Sequence, residues 1–149
     1  MSLPIPLPVY DLEILYACLP HRSPMLMVDC LLEYEGNTGL AGLTITRENV
    51  FVDKENRLSE TGLIEHMAQS VALYAGFSYW LQKIQPPIGY IGSIQNLEVY
   101  KCPSIGEKIR TQINILQEFA GISLVEIESL REGKFLARGQ MKTVVLKSI

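Results

Sequence analysis

Residues 58–82 of the chain, Leu-Ser-Glu-Thr-Gly-Leu-Ile-Glu-His-Met-Ala-Gln-Ser-Val-Ala-Leu-Tyr-Ala-Gly-Phe-Ser-Tyr-Trp-Leu-Gln, are the one long stretch that reads clearly as a helix. Ser59 is placed to cap its start, and Glu60 puts negative charge near the positive end of the helix dipole. Pro86 and Pro87 forbid continuation beyond its end. Between these limits Leu63, Ile64, Met67, Val71, Leu73, Tyr74, Phe77, Trp80 and Leu81 point nearly all round the axis rather than along one stripe. A helix that is apolar all round must be covered on most sides by the rest of the chain. Within this apolar setting sits one carboxylate, Glu65, followed one turn later by Gln69 on the same face.

The flanking segments can supply the cover. Residues 11–19 carry Leu12, Leu15, Tyr16 and Leu19 at the spacing of a short amphipathic helix that Pro20 ends. Leu19-Pro20-His21-Arg22-Ser23-Pro24 is a rigid turn, because two prolines fix the local φ. Residues 25–34 and 40–46 read as two strands joined by a turn at Gly36-Asn37-Thr38-Gly39. Residues 47–59 form a polar connection into the helix. After the prolines, residues 88–100, 108–119, 122–131 and 135–147 read as strands. Ile109, Thr111, Ile113 and Ile115 alternate with Arg110, Gln112 and Asn114, and turns are expected at Ala120-Gly121 and Glu132-Gly133-Lys134. Sequential hairpins of this kind predict an antiparallel meander, twisted and curled around the central helix: an α+β domain occupying residues 1–149.

Composition removes several classes of function. A formal net charge of −3 gives nucleic-acid binding no electrostatic support. The three cysteines, Cys18, Cys30 and Cys102, lack CxxC spacing, and the chain has only two histidines, so a metal site is not expected. Buried thiols in a reducing cytoplasm are the simpler reading. The amino terminus has no basic region and is punctuated by prolines, unlike a secretory signal. Glu65, His66, Gln69 and Gln82 argue against a membrane-spanning role for the central helix.

The order of elements, and the words along it, resemble the hotdog-fold β-hydroxyacyl-acyl carrier protein dehydratases. Leu-Pro-His-Arg-Ser-Pro-Met-Leu-Met-Val-Asp at 19–29 resembles that family's L-P-H-R-x-P-x-L-x-V-D opening, and Ile64-Glu65-His66-Met67-Ala68-Gln69 resembles its I-E-A-M-A-Q helix motif. The turn at 101–107 and the hairpin at 132–134 resemble its later turns. The family places a catalytic histidine in a G-H-F-P loop before the helix. Here that region reads Asn49-Val50-Phe51-Val52-Asp53-Lys54, with Phe51 at or near the expected position. In this respect the chain resembles a divergent branch, the hotdog dehydratases associated with aryl polyene-type gene clusters.

The resemblance implies a hydro-lyase that converts a 3-hydroxyacyl thioester to a trans-2-enoyl thioester in fatty-acid or polyene-type synthesis. It implies no cofactor, and a homodimer or a heterodimer with a related hotdog subunit. The substrate would be carried by acyl carrier protein or coenzyme A. Such a dehydration needs a base for the C2 proton, an acid for the departing hydroxyl and stabilisation of the thioester oxygen. Glu65 is the foremost candidate for proton transfer, since burial favours the neutral form that a general acid needs. His21 is the candidate to stand in for the missing histidine, against a purely structural role in its turn. Backbone donors around Gly62 and Leu63 are candidates to bind the carbonyl oxygen, Gln69 to orient the carboxylate or the substrate hydroxyl, and Phe51 to contact substrate. His66 points about 100° away from Glu65 around the helix and is read as a core or interface histidine. Asp29 is expected to satisfy backbone near the turn. Arg22, Lys101, Lys108, Arg131, Lys134, Arg138 and Lys142 include candidates for a docking patch for an acidic carrier protein, although scattered solvated charges are the default reading. Two alternatives stay open: a non-catalytic subunit supporting an active relative, and a hotdog thioesterase.

Overall fold

The structure, a computed structural model, describes residues 3–145. Its elements are α1 (Leu12–Cys18), β1 (Cys30–Glu35), β2 (Thr38–Thr44), α2 (Glu60–Leu81), β3 (Gly89–Val99), β4 (Lys108–Phe119), β5 (Ile122–Arg131) and β6 (Lys134–Val145). The six strands form a single antiparallel sheet in the order β1-β2-β4-β5-β6-β3, against which α2 packs in the hotdog arrangement.

The alternating residues of β4 explain this packing. Ile109, Thr111 and Ile113 face α2 and are buried, while Lys108, Arg110 and Gln112 face outward. Val125, Ile127 and Ser129 of β5 continue the buried face, with Ala137 and Met141 of β6 beyond them. On the helix, Leu63, Met67, Leu73 and Phe77 are almost completely buried against this surface. The hairpins β4–β5 and β5–β6 close on two-residue turns whose central residues all have positive φ: Ala120 (53°) with Gly121 (81°), and Glu132 (50°) with Gly133 (78°). Turns of this hand match the right-handed twist of the strands, so they hold the sheet in its curl.

Three features differ from expectation. The strands do not form a simple meander: β4 pairs with β2 and β3 pairs with β6, so the chain crosses over after α2. The first strand is shorter than predicted, beginning at Cys30 rather than Met25, because Met25 and Met27 are held by Gln69 and His66 of α2, and bonding to β2 starts only at the Asp29 N–H, which donates to the Gly42 carbonyl at 2.9 Å. The last strand is described to Val145, and the remainder of the range expected for it lies outside the described residues.

The start of α2 is as predicted. Ser59 Oγ accepts from the Gly62 N–H at 3.1 Å, and the Ser59 N–H donates to the Phe51 carbonyl at 2.8 Å. Its end is not set by the prolines. Lys83 adopts φ 60°, its N–H donates to the Trp80 carbonyl, and the Ile84 N–H donates to the Tyr79 carbonyl, both at 3.0 Å. These paired bonds close the last turn three residues before Pro86.

Two close approaches fix where other elements lie on α2. A Cβ on Gly76 would overlap the backbone carbonyl of Cys18, so only glycine lets the end of α1 cross the helix there. A Cβ on Gly39 would meet the Tyr74 ring at 2.6 Å, and Tyr74 Oη donates to the Gly36 carbonyl, which ties the β1–β2 turn to α2. Tyr34, Tyr74, Phe77 and Trp80 cluster around this point with neighbouring ring centroids 5.0–5.5 Å apart, Phe77 stacked on Trp80 and edge-on to Tyr34.

A left-handed lysine at the end of α2 costs conformational energy that glycine avoids. Lys83→Gly is therefore expected to stabilise the fold by about 0.5–1 kcal/mol in urea melts. No gain in stability would show that Lys83 offsets its strain through contacts of its own.

Candidate active site

α2 is covered on every side but one. Thr61 is exposed, and Glu65, Ala68, Ala72, Ala75 and Tyr79 are half-buried; at spacings of three and four they form one flank. A cavity of about 480 Å³ opens along this flank. Its floor is Ala68, Val71, Ala72, Ala75 and Gly76 of α2. One wall is the end of α1 with the turn through His21, and the other is formed by residues 85–91 with Thr143 and Val145 of β6. By helix rise, the floor from Ala68 to Tyr79 is about 16 Å long. Glu65 thus does not sit in a closed apolar interior, as the sequence suggested. It is half-buried, one turn before the floor begins.

The predicted residues separate into two groups. Glu65, Gln69 and His21 come together. Gln69 is fully buried, and its Nε2 donates both to Glu65 Oε1 and to the Met25 carbonyl, each at 2.9 Å. Its Oε1 accepts from the Met27 N–H at 2.6 Å. His21 lines the cavity, and its Nδ1 is buried without a hydrogen-bond partner among the described residues. Burial pushes the His21 imidazole below its ordinary value; the Glu65 carboxylate opposes that shift and the neighbouring Arg22 adds to it. The neutral ring is therefore favoured, within reach of the carboxylate's field.

Phe51, Gly62 and Leu63 gather instead at the start of α2. A Cβ on Gly62 would lie 2.5 Å from Phe51 Cβ and 2.7 Å from Leu58 Cδ1, so this glycine permits close packing of the entering loop. Leu63 is in the core, and its N–H donates to the Ser59 carbonyl at 2.9 Å, while the Gly62 N–H is held by the Ser59 hydroxyl. Both amides expected to receive a carbonyl oxygen thus have partners inside the helix cap.

Other side chains find structural employment. Arg22 spreads its guanidinium over the Tyr16 ring at 4.1 Å and donates to the carbonyls of Leu19 (2.8 Å), His21 (2.9 Å) and Tyr16 (3.2 Å), which holds the turn that presents His21. Asp29 Oδ2 accepts from the Thr44 N–H at 2.8 Å, the backbone role expected of it. Of the cations considered for docking, Arg131 pairs with Glu107 and Arg138 lies over the Phe135 ring.

Of the two places read for His66, core or interface, the structure shows the core: it is fully buried on the sheet side of α2. Its Nδ1 lies 2.6 Å from the Met27 carbonyl and its Nε2 2.7 Å from Thr111 Oγ1, which in turn lies 2.6 Å from Ser129 Oγ. Sequence reasoning missed this network. Thr111 and Ser129 stand among the inward residues of β4 and β5, but nothing in that alternation showed that they would meet a histidine, and pairing across the sheet is not local information.

A six-stranded antiparallel sheet around one long helix, with a carboxylate and a histidine at the head of an elongated cavity, defines a hotdog protein. The comparisons narrow that class. The sequence profile of the ApeP-like family, described as ApeP dehydratase, matches residues 14–147, and the chain belongs to this family. It is 28% identical over 136 residues to the 3-hydroxyacyl-[acyl-carrier-protein] dehydratase FabZ of Vibrio cholerae, covering 83% of this chain and 84% of that one. It is 25% identical to the FabZ of Helicobacter hepaticus, covering 95% and 92%. Among solved structures it resembles the dehydratase heterocomplex ApeI:P from Xenorhabdus doucetiae, with a TM-score of 0.82, 20% identity and coverage of 90% and 91%. A hypothetical thioesterase from Streptococcus pneumoniae, solved with coenzyme A, shares the fold at a TM-score of 0.60 and 6% identity, covering 79% and 85%. The chain is a dehydratase-like protein by family.

Complete burial holds the His66 imidazole neutral, pushed down to about 4, with the Met27 carbonyl opposing the shift. The unfolded ring titrates near 6.5. The stability this confers is therefore complete above pH 6.5, falls as pH drops toward 4 and is lost below it, a span of ~3 kcal/mol. Thermal melts between pH 7 and 4 should show a steeper loss for the native chain than for His66→Gln. Parallel losses would mean that His66 does not titrate in this way.

Proposed function

We propose that the chain is a 3-hydroxyacyl-thioester dehydratase that uses His21 and Glu65 at the head of the α2 groove. The observation that carries this reading is the meeting of the two: a buried, unpartnered histidine nitrogen on the cavity wall, and a carboxylate held by Gln69 whose charge that histidine feels. The His21 imidazole, favoured in its neutral form, accepts the C2 proton. The Glu65 carboxylate takes that proton from the imidazolium and passes it to the hydroxyl, which leaves as water, so both groups return to their starting state. Gln69 fixes one carboxyl oxygen and leaves the other for the substrate hydroxyl. The thioester oxygen gains negative character near the start of α2, where the helix dipole favours it. The apolar groove takes the acyl chain.

The reading includes a second hotdog chain, identical or related, against β3. This strand has no neighbour beyond it in the sheet among the described residues; Ile88 just before it and Tyr90, Ile91 and Ile94 along it are exposed, with Tyr90 at 53%. Three of these four residues also line the cavity, so a partner there would complete its wall. Acyl carrier protein is the favoured thioester carrier, after the relatives' activity. The three thiols, none disulfide-bonded, suit the cytoplasm.

Turnover of a 3-hydroxyacyl thioester on acyl carrier protein, followed by enoyl-thioester absorbance, tests the reading. Glu65→Gln is expected to lower kcat by about a thousandfold and His21→Asn by a hundredfold or so, with the fold retained. Full activity in either variant would remove that residue from the chemistry. The position of Phe51 favours a second reading, a non-catalytic subunit, in which a complex with a related chain keeps its activity when Glu65 and His21 of this chain are replaced; normal activity in a pure homo-oligomer rules it out. Release of free thiol instead of enoyl product would mark a thioesterase.

The groove makes a separate expectation. Ala72→Phe fills its middle, so turnover of long-chain substrates should fall by about tenfold or more while short-chain turnover changes little. Equal effects at all chain lengths would place the acyl chain elsewhere.

A further inference from the structure

Residues 25–27 follow α2 outside the sheet, and helix side chains bond their backbone. The Met27 N–H donates to Gln69 Oε1 at 2.6 Å, and the Met27 carbonyl meets His66 Nδ1 at 2.6 Å. The Met25 carbonyl accepts from Gln69 Nε2 at 2.9 Å. Both backbone polar groups of Met27 are thus held by two side chains of one helix. A carbonyl can only accept, so His66 Nδ1 carries the proton and Nε2 is the acceptor. Thr111 must then donate to Nε2 and accept from Ser129. The hydrogen bonds run in one direction, from Ser129 through Thr111 and His66 to Met27, and all three side chains are fully buried.

The pinned segment leads to the site. The Met25 N–H donates to the Arg22 carbonyl at 2.9 Å, which closes a tight turn, and His21 immediately precedes that turn. On its other side Arg22 ties the turn to Tyr16 and Leu19 at the end of α1. The place of His21 therefore depends on where Met25 and Met27 are held. The same Gln69 amide that holds Met25 also holds Glu65.

We propose that His66 is a positioning residue for this site: by clasping Met27, with its tautomer locked by Thr111 and Ser129, it sets His21 in register with the carboxylate that Gln69 holds. The inference rests on the dehydratase reading and adds a residue that reaches neither the cavity nor the reacting atoms.

The test compares His66→Leu, which keeps bulk but loses the donor, with His66→Asn, whose amide nitrogen can occupy the Nδ1 position. The protein is assayed whole, with its partner chain if it requires one. Two readouts are taken: kcat and KM for a 3-hydroxyoctanoyl thioester on acyl carrier protein, and hydrogen exchange of the Met27 amide by NMR. The expected result is a kcat lower by about tenfold or more in His66→Leu with KM little changed, and faster Met27 exchange. His66→Asn should restore most of both. Native kcat and native Met27 exchange in a folded His66→Leu would overturn the proposal, as would an Asn variant no better than Leu. If His66→Leu does not fold, His66→Gln, which lacks a donor at the Nδ1 position, replaces it with the same expectations. Absence of turnover in the native protein overturns the dehydratase reading and, with it, the positioning role. Loss of Met27 protection in the Leu variant and its return in the Asn variant would still establish the clasp itself.

Discussion

The burial of α2 is the constraint on which the other features depend. A helix of 22 residues with apolar side chains on most of its circumference cannot be left in water, and a flat sheet would cover only one side. The sheet therefore curls. Its left-handed hairpin turns set the twist, the crossover after α2 allows β3 to reach the far edge, and α1 closes over Gly76. What remains uncovered is a single flank of alanines that begins beside Glu65. The cavity follows from incomplete wrapping.

Under the proposed function, the place of Glu65 and His21 at the margin of that wrapping resolves a conflict. Groups that transfer protons need low dielectric to act strongly and contact with substrate to act at all. At the head of the groove, Glu65 is half-buried and hydrogen-bonded to fully buried Gln69, while His21 lines the cavity from a turn stiffened by Pro20, Pro24 and the Arg22 guanidinium. The site thus joins a helix, which fixes the carboxylate, to a loop segment whose backbone is fixed by that same helix.

Much of the fold was legible in the sequence where the information was local. β4 and β5 match their expected limits because their alternation is strict and their turns carry Gly121 and Gly133. Ser59 was recognisable as a cap from its type and position. Sheet order was not legible, since the pairing of β2 with β4 joins segments separated by the whole of α2. The sequence reads as strand from Met25 because apolar side chains at Leu26 and Val28 suit a buried extended segment as well as they suit a strand. In the site, the resemblance singled out Glu65, Gln69 and His21. The groove was hidden because alanine is compatible with a packed face and an open one alike. Helix geometry turned His66 away from Glu65, toward core or interface, but its partners lie on strands whose register only the folded chain reveals.

The one-way chain of hydrogen bonds through His66 bears on how this core can change. Each hydroxyl has a single proton, so Thr111 cannot serve His66 and Ser129 equally as a donor. Removing one member leaves another buried polar atom unmatched, at a cost of about 1–3 kcal/mol. Exchanging the whole set for apolar residues of similar shape leaves no such atom behind. The network behaves as a block in sequence space: its members are lost or gained together, and single replacements within it are penalised in ways their pairwise contacts do not predict. A relative of this chain with alanine at position 66 is thus expected to carry apolar residues where Thr111 and Ser129 stand here.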